Sequence, residues 1–271
     1  MAVTRVGYVG LGNIGGPIAR RLHEAGFDVA VWARRSVSVG PLAVCSSLVE
    51  LAQRSDLLGI CVLDDLAVLD VLTHDIISVM PRGAVIVIQS TVLPSTCEAV
   101  ASIAQPCGIN VIDAPVSGGS DGAARGELSL PVGGDADAVA KCSAMLEALG
   151  TYRYLGGLGS GQVTKICSNV LYSTHLGVAL AAIEAGEAMG ADPAALRSVL
   201  ETTTARSFVI GRIPRLTRAS TFEHSVGLLA KDRALFDRLC AEQGYDGSVL
   251  SNQAAHGLVA LAEWVGRSWD A

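Results

Sequence analysis

The sequence predicts an α/β protein in which a doubly wound parallel sheet is followed by an all-α C-terminal domain. Two observations carry this prediction. In the first half of the chain, short apolar runs of strand length alternate with helical patterns, as in a parallel sheet with helices on both faces. After Gly161 the strand signals stop, and one long helical pattern covers residues 162–189.

The predicted elements follow one another closely along the chain. A first strand at 4–9 leads into a glycine-rich turn and a helix that ends near Gly26. Further strands are expected at 27–32, 57–63, 84–88, 109–113 and 152–155, and helices at 47–54, 65–79, 94–107 and 135–149, with an apolar segment at 127–132. Pro193 and Pro214 mark later helix starts. We expect two domains, 1–158 and 159–271.

Composition narrows the class of protein. Half of the 271 residues are apolar and 17% are charged, which indicates a folded globular chain. The net charge of -6 and the lack of a basic run argue against nucleic acid as a partner and give no reason for a membrane surface. The apolar segment 170–189 is interrupted by His175, Glu184 and Glu187, so we expect a buried helix and no membrane span.

The seven cysteines indicate a compartment. Their number is odd, no two are spaced CxxC, and most lie in apolar segments. Reduced, packed thiols in a cytoplasmic protein are the simplest account. The glycine-broken stretch after Arg5 does not resemble a signal peptide.

The glycine turn after the first strand predicts a dinucleotide site of the Rossmann type. Gly10 permits a tight turn, Gly12 lets the backbone approach a pyrophosphate, and Gly15 lets the helix pack close to the strand. The alternative is an ordinary glycine-rich turn. The candidate cofactor-binding residues of the turn are Gly10, Leu11, Gly12, Asn13, Ile14 and Gly15.

The end of the second strand favours NADP over NAD. An acidic residue there would bind the ribose 2′-hydroxyl of NAD, but Asp28 lies at the start of the strand and Ala33 stands at its end. Arg34, Arg35 and Ser36 follow, and guanidinium groups pair well with a 2′-phosphate. The alternative is that the two arginines form a solvated loop pair.

Two further segments carry chemistry. In 113–119, at the carboxyl end of a predicted strand, Ser117 supplies a hydroxyl, and the Gly118 and Gly119 amides can approach a small anion. In 159–169, Lys165 and Asn169 lie four residues apart, so one helix face presents both. A lysine inside a mostly apolar helix is costly unless it has a partner or a task.

With these motifs, and with residues 229–232 further along, the chain resembles the β-hydroxyacid dehydrogenases, which include 3-hydroxyisobutyrate dehydrogenase and tartronate semialdehyde reductase. The resemblance covers nearly the whole chain, with four motifs in the same order. It implies a Rossmann domain, a helical second domain, and a homodimer or homotetramer built mostly through the helical domain.

The resemblance also implies roles for particular residues. Lys165 would be the general acid/base, and Asn169 would hold the substrate beside it. Ser117, Gly118 and Gly119 would bind the substrate carboxylate.

On the cofactor side, Lys231 would close the site near the nicotinamide and the substrate, and Leu63 and Thr91 would lie along the cofactor. Hydride would pass directly to the substrate carbon, so no metal is expected, and no two of the five histidines have metal-ligand spacing.

The sequence departs from the family in two places. The tail after Gly244 is short and lacks the family's usual glycine- and aspartate-rich ending, which leaves the substrate open. Pro131 interrupts an otherwise apolar stretch, where it can change local strand pairing. Candidates for side-chain specificity are Ser207, Phe208, Arg212 and Leu235.

Three other functions stay open at this point. Residues 118–122 fit the GxSxG elbow of a serine hydrolase, with Asp232 and His256 following in order, but the residues after Ser120 are a poor helix start. An imine reductase would share the fold, but typically carries aspartate or tyrosine at the position of Lys165. A non-catalytic NADP-binding protein would leave Lys165 as an interdomain ion pair and Lys231 on a solvated helix face.

Overall fold

The computed structural model describes residues 4–34 and 39–266. The chain divides into two compact units, Met1–Lys165 and Ile166–Ala271. The division falls inside a helix, and the domain bounds 1–158 and 159–271 stay a prediction.

The first unit is built on a sheet of eight strands in the order β3-β2-β1-β4-β5-β6-β7-β8. The strands are β1 Arg5–Val9, β2 Asp28–Trp32, β3 Ala43–Val44, β4 Leu57–Ile60, β5 Val85–Ile88, β6 Asn110–Asp113, β7 Leu128–Gly134 and β8 Gly150–Tyr154. Every pair is parallel except β6 with β7. The order reverses at β1, so the predicted doubly wound Rossmann sheet is confirmed.

Helices cover both faces of this sheet. Their bounds are α1 Gly15–Glu24, α2 Leu48–Gln53, α3 Asp65–Val71, α4 His74–Ile77, α5 Pro94–Ala104, α6 Gly119–Arg125 and α7 Ala136–Leu149. One apolar cluster joins α1, α6 and α7 to one face, and a second joins α2, α3, α4 and α5 to the other. The four residues of β4 and the four of β5 are all buried, as expected for strands covered on both sides.

Three local features differ from the sequence prediction. The helix expected at 65–79 is two helices, because Leu72 (ψ 56°) and Thr73 (ψ 164°) leave the helical region. β3 was not predicted, because it has two residues and both are exposed. β7 runs antiparallel to β6, and Pro131 keeps its place in β7 opposite Arg153 of β8.

The described residues of the second unit contain helices and no strand. The helices are α8 Ser160–Ala188, which crosses the division between the units, α9 Pro193–Leu200, α10 Ile213–Leu216, α11 Ala219–Gln243 and α12 Ser248–Glu263. α9 begins at Pro193, where the Asp192 carboxylate accepts a hydrogen bond from the Ala195 amide, and Pro214 lies in the first turn of α10. Leu176, Leu180 and Ile183 of α8 pack in the core of this unit. The predicted long helix at 162–189 and the all-α second domain are confirmed.

One helix among the described residues, α8, is long and apolar enough to cross a membrane by length and composition alone. In its most apolar window, 39% of the residues are buried in this structure. Core helices of soluble proteins pass the same test, so this observation is weak evidence for a span.

A buried hydrogen bond joins β1 to the end of β5. The Tyr8 hydroxyl donates to Oε1 of Gln89 over 2.6 Å, and both side chains are buried. We expect Tyr8→Phe to lower the free energy of unfolding by about 1–3 kcal/mol, because it leaves a buried amide oxygen without its donor. Urea denaturation measures this.

Tyr154→Phe is the matched control. Its hydroxyl donates to the Gly134 carbonyl over 3.2 Å, and the residue is 49% exposed. Water can replace this bond, so the free energy of unfolding should change by less than about 1 kcal/mol. Equal losses of unfolding free energy in Tyr8→Phe and Tyr154→Phe would contradict the prediction that the buried hydrogen bond contributes more than the exposed one.

Candidate active site

The sequence-predicted residues of the first unit gather at one edge of the sheet. β1, β2, β4, β5 and β6 are mutually parallel, so their carboxyl ends meet at the same edge, where open α/β sheets bind their ligands. The candidate residues that follow these strands directly are the turn 10–15, Arg34, Leu63, Thr91 and Ser117. Arg35 and Ser36 lie outside the described residues.

In the glycine turn, each of the three glycines stands in a different environment. Gly10 has a φ of +92°, and a Cβ there would overlap the Cys61 carbonyl oxygen. A Cβ on Gly15 would overlap the Gly10 carbonyl oxygen, so α1 can start this close to β1 only with glycine. A Cβ on Gly12 would meet nothing within 4 Å, so this part of the backbone is open to a ligand.

A cavity of about 830 Å³ extends from this turn across the ends of β1 and β2, and this volume lies in the range of small-molecule and cofactor sites. Ala33 and Arg34 line it at the end of β2, whereas Asp28, at the other end of that strand, lies 3.4 Å from Arg54. Asp70 of α3 is the acidic side chain in the lining. The lining residues are Val9, Gly10, Leu11, Gly12, Trp32, Ala33, Arg34, Leu48, Val62, Ala67, Asp70 and Val71.

The segment after β6 presents Ser117 and two glycines. The backbone of Ser117 is bonded in both directions to Ser129, at 3.0 and 2.8 Å, and the residue is exposed. Gly118 (φ +139°) and Gly119 (φ +69°) then turn the chain into α6. This places a hydroxyl and glycine amides beside one another at the edge of the sheet.

Asp113, the last residue of β6, caps the N-terminus of α8. Its side chain is fully buried, and its two oxygens accept hydrogen bonds from the Gly159 and Gln162 amides, each over 2.7 Å. Burial raises the pKa of this carboxyl, although the N–H groups that it accepts favour the charged form. Asp113 lies in the motif 113–119, but nothing in the sequence predicted that it caps a helix.

Gln162 connects the start of α8 to the loop after β5. Its Oε1 accepts from the Val92 amide over 3.1 Å, and its Nε2 donates to the Ser90 carbonyl over 2.9 Å. The side chain therefore binds the backbone on both sides of Thr91. This residue was also missed, although a polar amide in the first turn of an apolar helix is visible in the sequence, and such a side chain needs hydrogen-bond partners when it is buried.

Lys165 lies one turn further along α8 and is only 7% exposed. It is the last residue of the first unit. Asn169 follows one turn later on the same helix and belongs to the second unit. The predicted four-residue spacing on one helix is therefore present in the structure.

Within the second unit, Asp232 joins two of the predicted residues. The Asn169 Nδ2 donates to one oxygen of Asp232 over 2.6 Å, and the Lys231 Nζ lies 2.9 Å from the other. Because a carboxylate only accepts, it directs the amide nitrogen of Asn169 towards itself and the amide oxygen away. The side chains of Lys231 and Asp232 are 23% and 9% exposed, so the alternative of a solvated helix face is wrong here.

The structure also tests two features of the serine hydrolase alternative, which are the helix after Ser120 and the pairing of Asp232 with His256. The expectation of a poor helix start after Ser120 is wrong, because α6 spans Gly119–Arg125 and Ser120 is its second residue. Gly118 and Gly126, both with positive φ, bound this short helix at its two ends. Among the described side chains, however, the Asp232 carboxylate pairs with Asn169 and Lys231 and not with His256, so the hydrolase triad is not assembled.

The cysteines and the possible metal ligands complete the inventory. All seven cysteines are free thiols. In the part of the chain that the structure describes, no three His, Cys, Asp or Glu side chains are grouped to hold a metal.

Comparison with known proteins identifies the family. The NAD-binding domain of 6-phosphogluconate dehydrogenase matches residues 5–166, and the NAD-binding domain of NADP-dependent 3-hydroxyisobutyrate dehydrogenase matches 159–271. The 3-hydroxyisobutyrate dehydrogenase of Pseudomonas aeruginosa is 33% identical over 221 residues, which are 77% of this chain and 72% of that protein. The chain belongs to the β-hydroxyacid dehydrogenase family. It is a dehydrogenase that acts on CH–OH groups with a nicotinamide cofactor.

Solved structures share this fold. A 3-hydroxyisobutyrate dehydrogenase of Mycobacterium tuberculosis with L-serine has the same fold, with a TM-score of 0.84 and 22% identity, over 99% of this chain and 97% of that one. Psf3 in complex with NADP+ and 2-OPP has a TM-score of 0.79 and 26% identity, over 95% and 93%. The open backbone at Gly12 and the adjoining cavity fit a dinucleotide.

The glycine turn gives a testable contrast. We expect Gly15→Ala to lower the free energy of unfolding by about 1–3 kcal/mol, because the new methyl group overlaps a backbone oxygen that cannot move alone. Gly12→Ala, the same substitution in the same turn, should change it by less than about 0.5 kcal/mol. Urea denaturation of both variants measures this, and a large loss in Gly12→Ala would contradict the open position.

Proposed function

We propose that this chain transfers hydride between NADP and a small β-hydroxy acid or semialdehyde, with Lys165 as the general acid/base. The proposal rests on Lys165, which is buried on α8. The start of this helix is hydrogen-bonded to the backbone on both sides of Thr91 and to Asp113 at the end of β6. Lys165 also stands at the position of the family motif that the resemblance assigns to the general acid/base.

The proposed reaction requires hydride transfer, proton transfer and binding of the substrate carboxylate. The nicotinamide, when bound, supplies or accepts the hydride. The Lys165 ammonium donates a proton to the substrate carbonyl oxygen during reduction and takes the hydroxyl proton back during oxidation. The Ser117 hydroxyl and the Gly118 and Gly119 amides bind the substrate carboxylate, and Leu63 and Thr91 lie along the cofactor.

Asn169 and Lys231 would act from the second unit. Asp232 fixes the amide of Asn169, so its oxygen and second N–H remain to orient the substrate. The same carboxylate holds the Lys231 ammonium, which would close the site near the nicotinamide. Loss of substrate affinity in Asp232→Asn, with cofactor affinity unchanged, would support this role, and unchanged kinetics would exclude it.

The choice of NADP rests on the end of β2. Ala33 removes the acid that a 2′-hydroxyl would need, and Asp28 is held at the far end of the strand by Arg54. The Arg34 guanidinium lines the cavity and suits a phosphate. Psf3, which shares 26% identity, is complexed with NADP+.

Substituting Arg34 tests this choice. Arg34→Ser should raise the Kd of NADPH about 10- to 150-fold and leave that of NADH nearly unchanged, because a charge-assisted contact to phosphate contributes about 1.5–3 kcal/mol. Nucleotide fluorescence titration measures both. Arg54→Ser is the control, because Arg54 follows α2 and contacts Asp28 at the opposite end of β2. Equal Kd values of wild type for the two nucleotides would contradict the NADP assignment.

A substrate panel with Lys165→Ala tests the reaction. With NADPH, the wild type should reduce one or more semialdehydes or 2-oxo acids, and Lys165→Ala should lower kcat by about 10²–10⁴-fold because the proton donor is lost. NADPH affinity should remain nearly intact, and Lys141→Ala, on the exposed face of α7, should behave as wild type. Absorbance of the reduced nicotinamide measures turnover.

The other outcomes of the panel are informative. Reduction of cyclic imines alone would make the chain an imine reductase. Binding of NADPH without turnover of any substrate would indicate a non-catalytic protein. Equal loss of turnover and NADPH binding in Lys165→Ala would make Lys165 structural.

We also propose a homodimer or homotetramer through the helical second unit. Leu171 and Val178 of α8 and Val249 and Val259 of α12 are between 45% and 79% exposed. An apolar helix with this much uncovered surface is typical of a subunit interface. Light scattering that gives the mass of one chain would contradict this proposal.

A cytoplasmic location is the last part of the proposal. The seven free thiols support it, because reducing compartments keep cysteines unpaired. Recovery of the native protein from a secreted fraction would contradict it.

A further inference from the structure

Three segments that are distant in sequence meet at the first turn of α8. Asp113, at the end of β6, accepts hydrogen bonds from the Gly159 and Gln162 amides. Gln162 then binds the Val92 amide and the Ser90 carbonyl in the loop after β5. All of these bonds lie within the first unit.

We propose that Gln162, oriented by Asp113, is a positioning residue that sets the backbone around Thr91 against the helix that carries Lys165. This inference rests on the proposed function, because it assigns Thr91 to the cofactor and Lys165 to the proton. Neither Gln162 nor Asp113 needs to touch the reacting atoms for this role.

The site requires an amide at position 162. The side chain must accept from an N–H and donate to a carbonyl at the same time, over 3.1 and 2.9 Å. A glutamine does both with one planar group, whereas an ionised glutamate only accepts and would face the Ser90 carbonyl with a negative charge. Gln162 is fully buried, so water cannot replace a missing partner.

Asp113 fixes the backbone from which the Gln162 side chain extends. One of its oxygens binds the N–H of Gln162 itself, and the other binds the N–H of Gly159 just before the helix. A carboxylate at a helix N-terminus is favoured by the unsatisfied amides and the helix dipole. Asp113 therefore sets the rotation of α8 about its axis, and with it the direction of Lys165 one turn later, while the side chain of Gln162 in the same turn holds the Thr91 loop.

A small displacement here should affect turnover strongly. In oriented reactions, a shift of about 1 Å between reacting groups can cost about 10²-fold in rate. Once its carboxyl is ionised, we expect Gln162→Glu to lower kcat about 10- to 100-fold with a smaller change in substrate KM, because orientation and not binding is lost.

Acidic pH should rescue this variant. A protonated glutamate carries one O–H donor and one carbonyl acceptor, as the amide does. Burial and the donor bond to the Ser90 carbonyl both favour the neutral form, so the pKa of the introduced carboxyl should lie above the usual glutamate range. The ratio of Gln162→Glu to wild-type kcat should therefore rise as the pH falls through that pKa.

Dividing the kcat of Gln162→Glu by the wild-type kcat at each pH cancels the effect of the other titratable groups near position 162. Asp113 faces Gln162 from β6, and Asp65 and Cys97 lie around the same loop and helix, but all three are present in both proteins. Gln162→Ala carries no titratable group and should show a low ratio at every pH. A loss in Gln162→Glu that is independent of pH would overturn the proposal, as would wild-type kcat in Gln162→Ala.

Asp113 has a matched control in Asp135. Asp135 also caps a long helix, accepting from the Asp137 and Ala138 amides over 3.0 and 3.1 Å, but it is exposed and starts α7. Asp113→Asn should lower kcat at least 10-fold, whereas Asp135→Asn should leave kcat unchanged. Equal kcat values would mean that Asp113 is only a helix cap.

Hydrogen exchange separates this inference from the proposed function. In Gln162→Ala, the Val92 amide should lose protection at pH 7, while amides of β1 remain protected. This result would support the placement of the loop even if no substrate were turned over. Unchanged protection of Val92 would overturn the inference, even in an active dehydrogenase.

Discussion

The burial of one carboxylate, Asp113, determines where the longest helix of this chain begins. A charge that is cut off from water costs several kcal/mol unless hydrogen bonds replace its hydration. Here the two oxygens receive the Gly159 and Gln162 amides, at the point where α8 has unsatisfied N–H groups. Neighbouring backbone is kept close enough by glycine, since a Cβ on Gly133 or Gly161 would come within 2.7 Å of a carboxylate oxygen. The start of α8 therefore depends on an interaction with β6.

Asp232 has a comparable structural role in the second unit. It is buried, it accepts from the Asn169 amide, and it pairs with the Lys231 ammonium. In each unit, one buried acid binds a segment that carries motif residues. Asp113 holds the backbone at the start of α8, and Asp232 holds the side chains of Asn169 and Lys231. Both acids lie next to residues with proposed chemical roles, which explains why short motifs contain them.

The sequence predicted features that local patterns determine. The glycine turn, the α/β alternation and the length of α8 all follow from residues that are close together in the chain, and the structure confirms them. The roles of Asp113 and Gln162 could not be predicted, because their partners lie between 46 and 72 residues away. The antiparallel pairing of β7 and the break between α3 and α4 likewise depend on tertiary contacts. Arg35 and Ser36 fall outside the described residues.

The passage of α8 through the division between the units has a consequence for recombining this chain with relatives. A crossover after Lys165, where the compact units separate, would take Lys165 and Asn169 from different parents within one uninterrupted helix. A crossover after Leu158 would keep that pair together but would separate Asp113 from the amides of Gly159 and Gln162. Neither junction yields an exchangeable module, so functional chimeras require parents that already agree on both sides of α8.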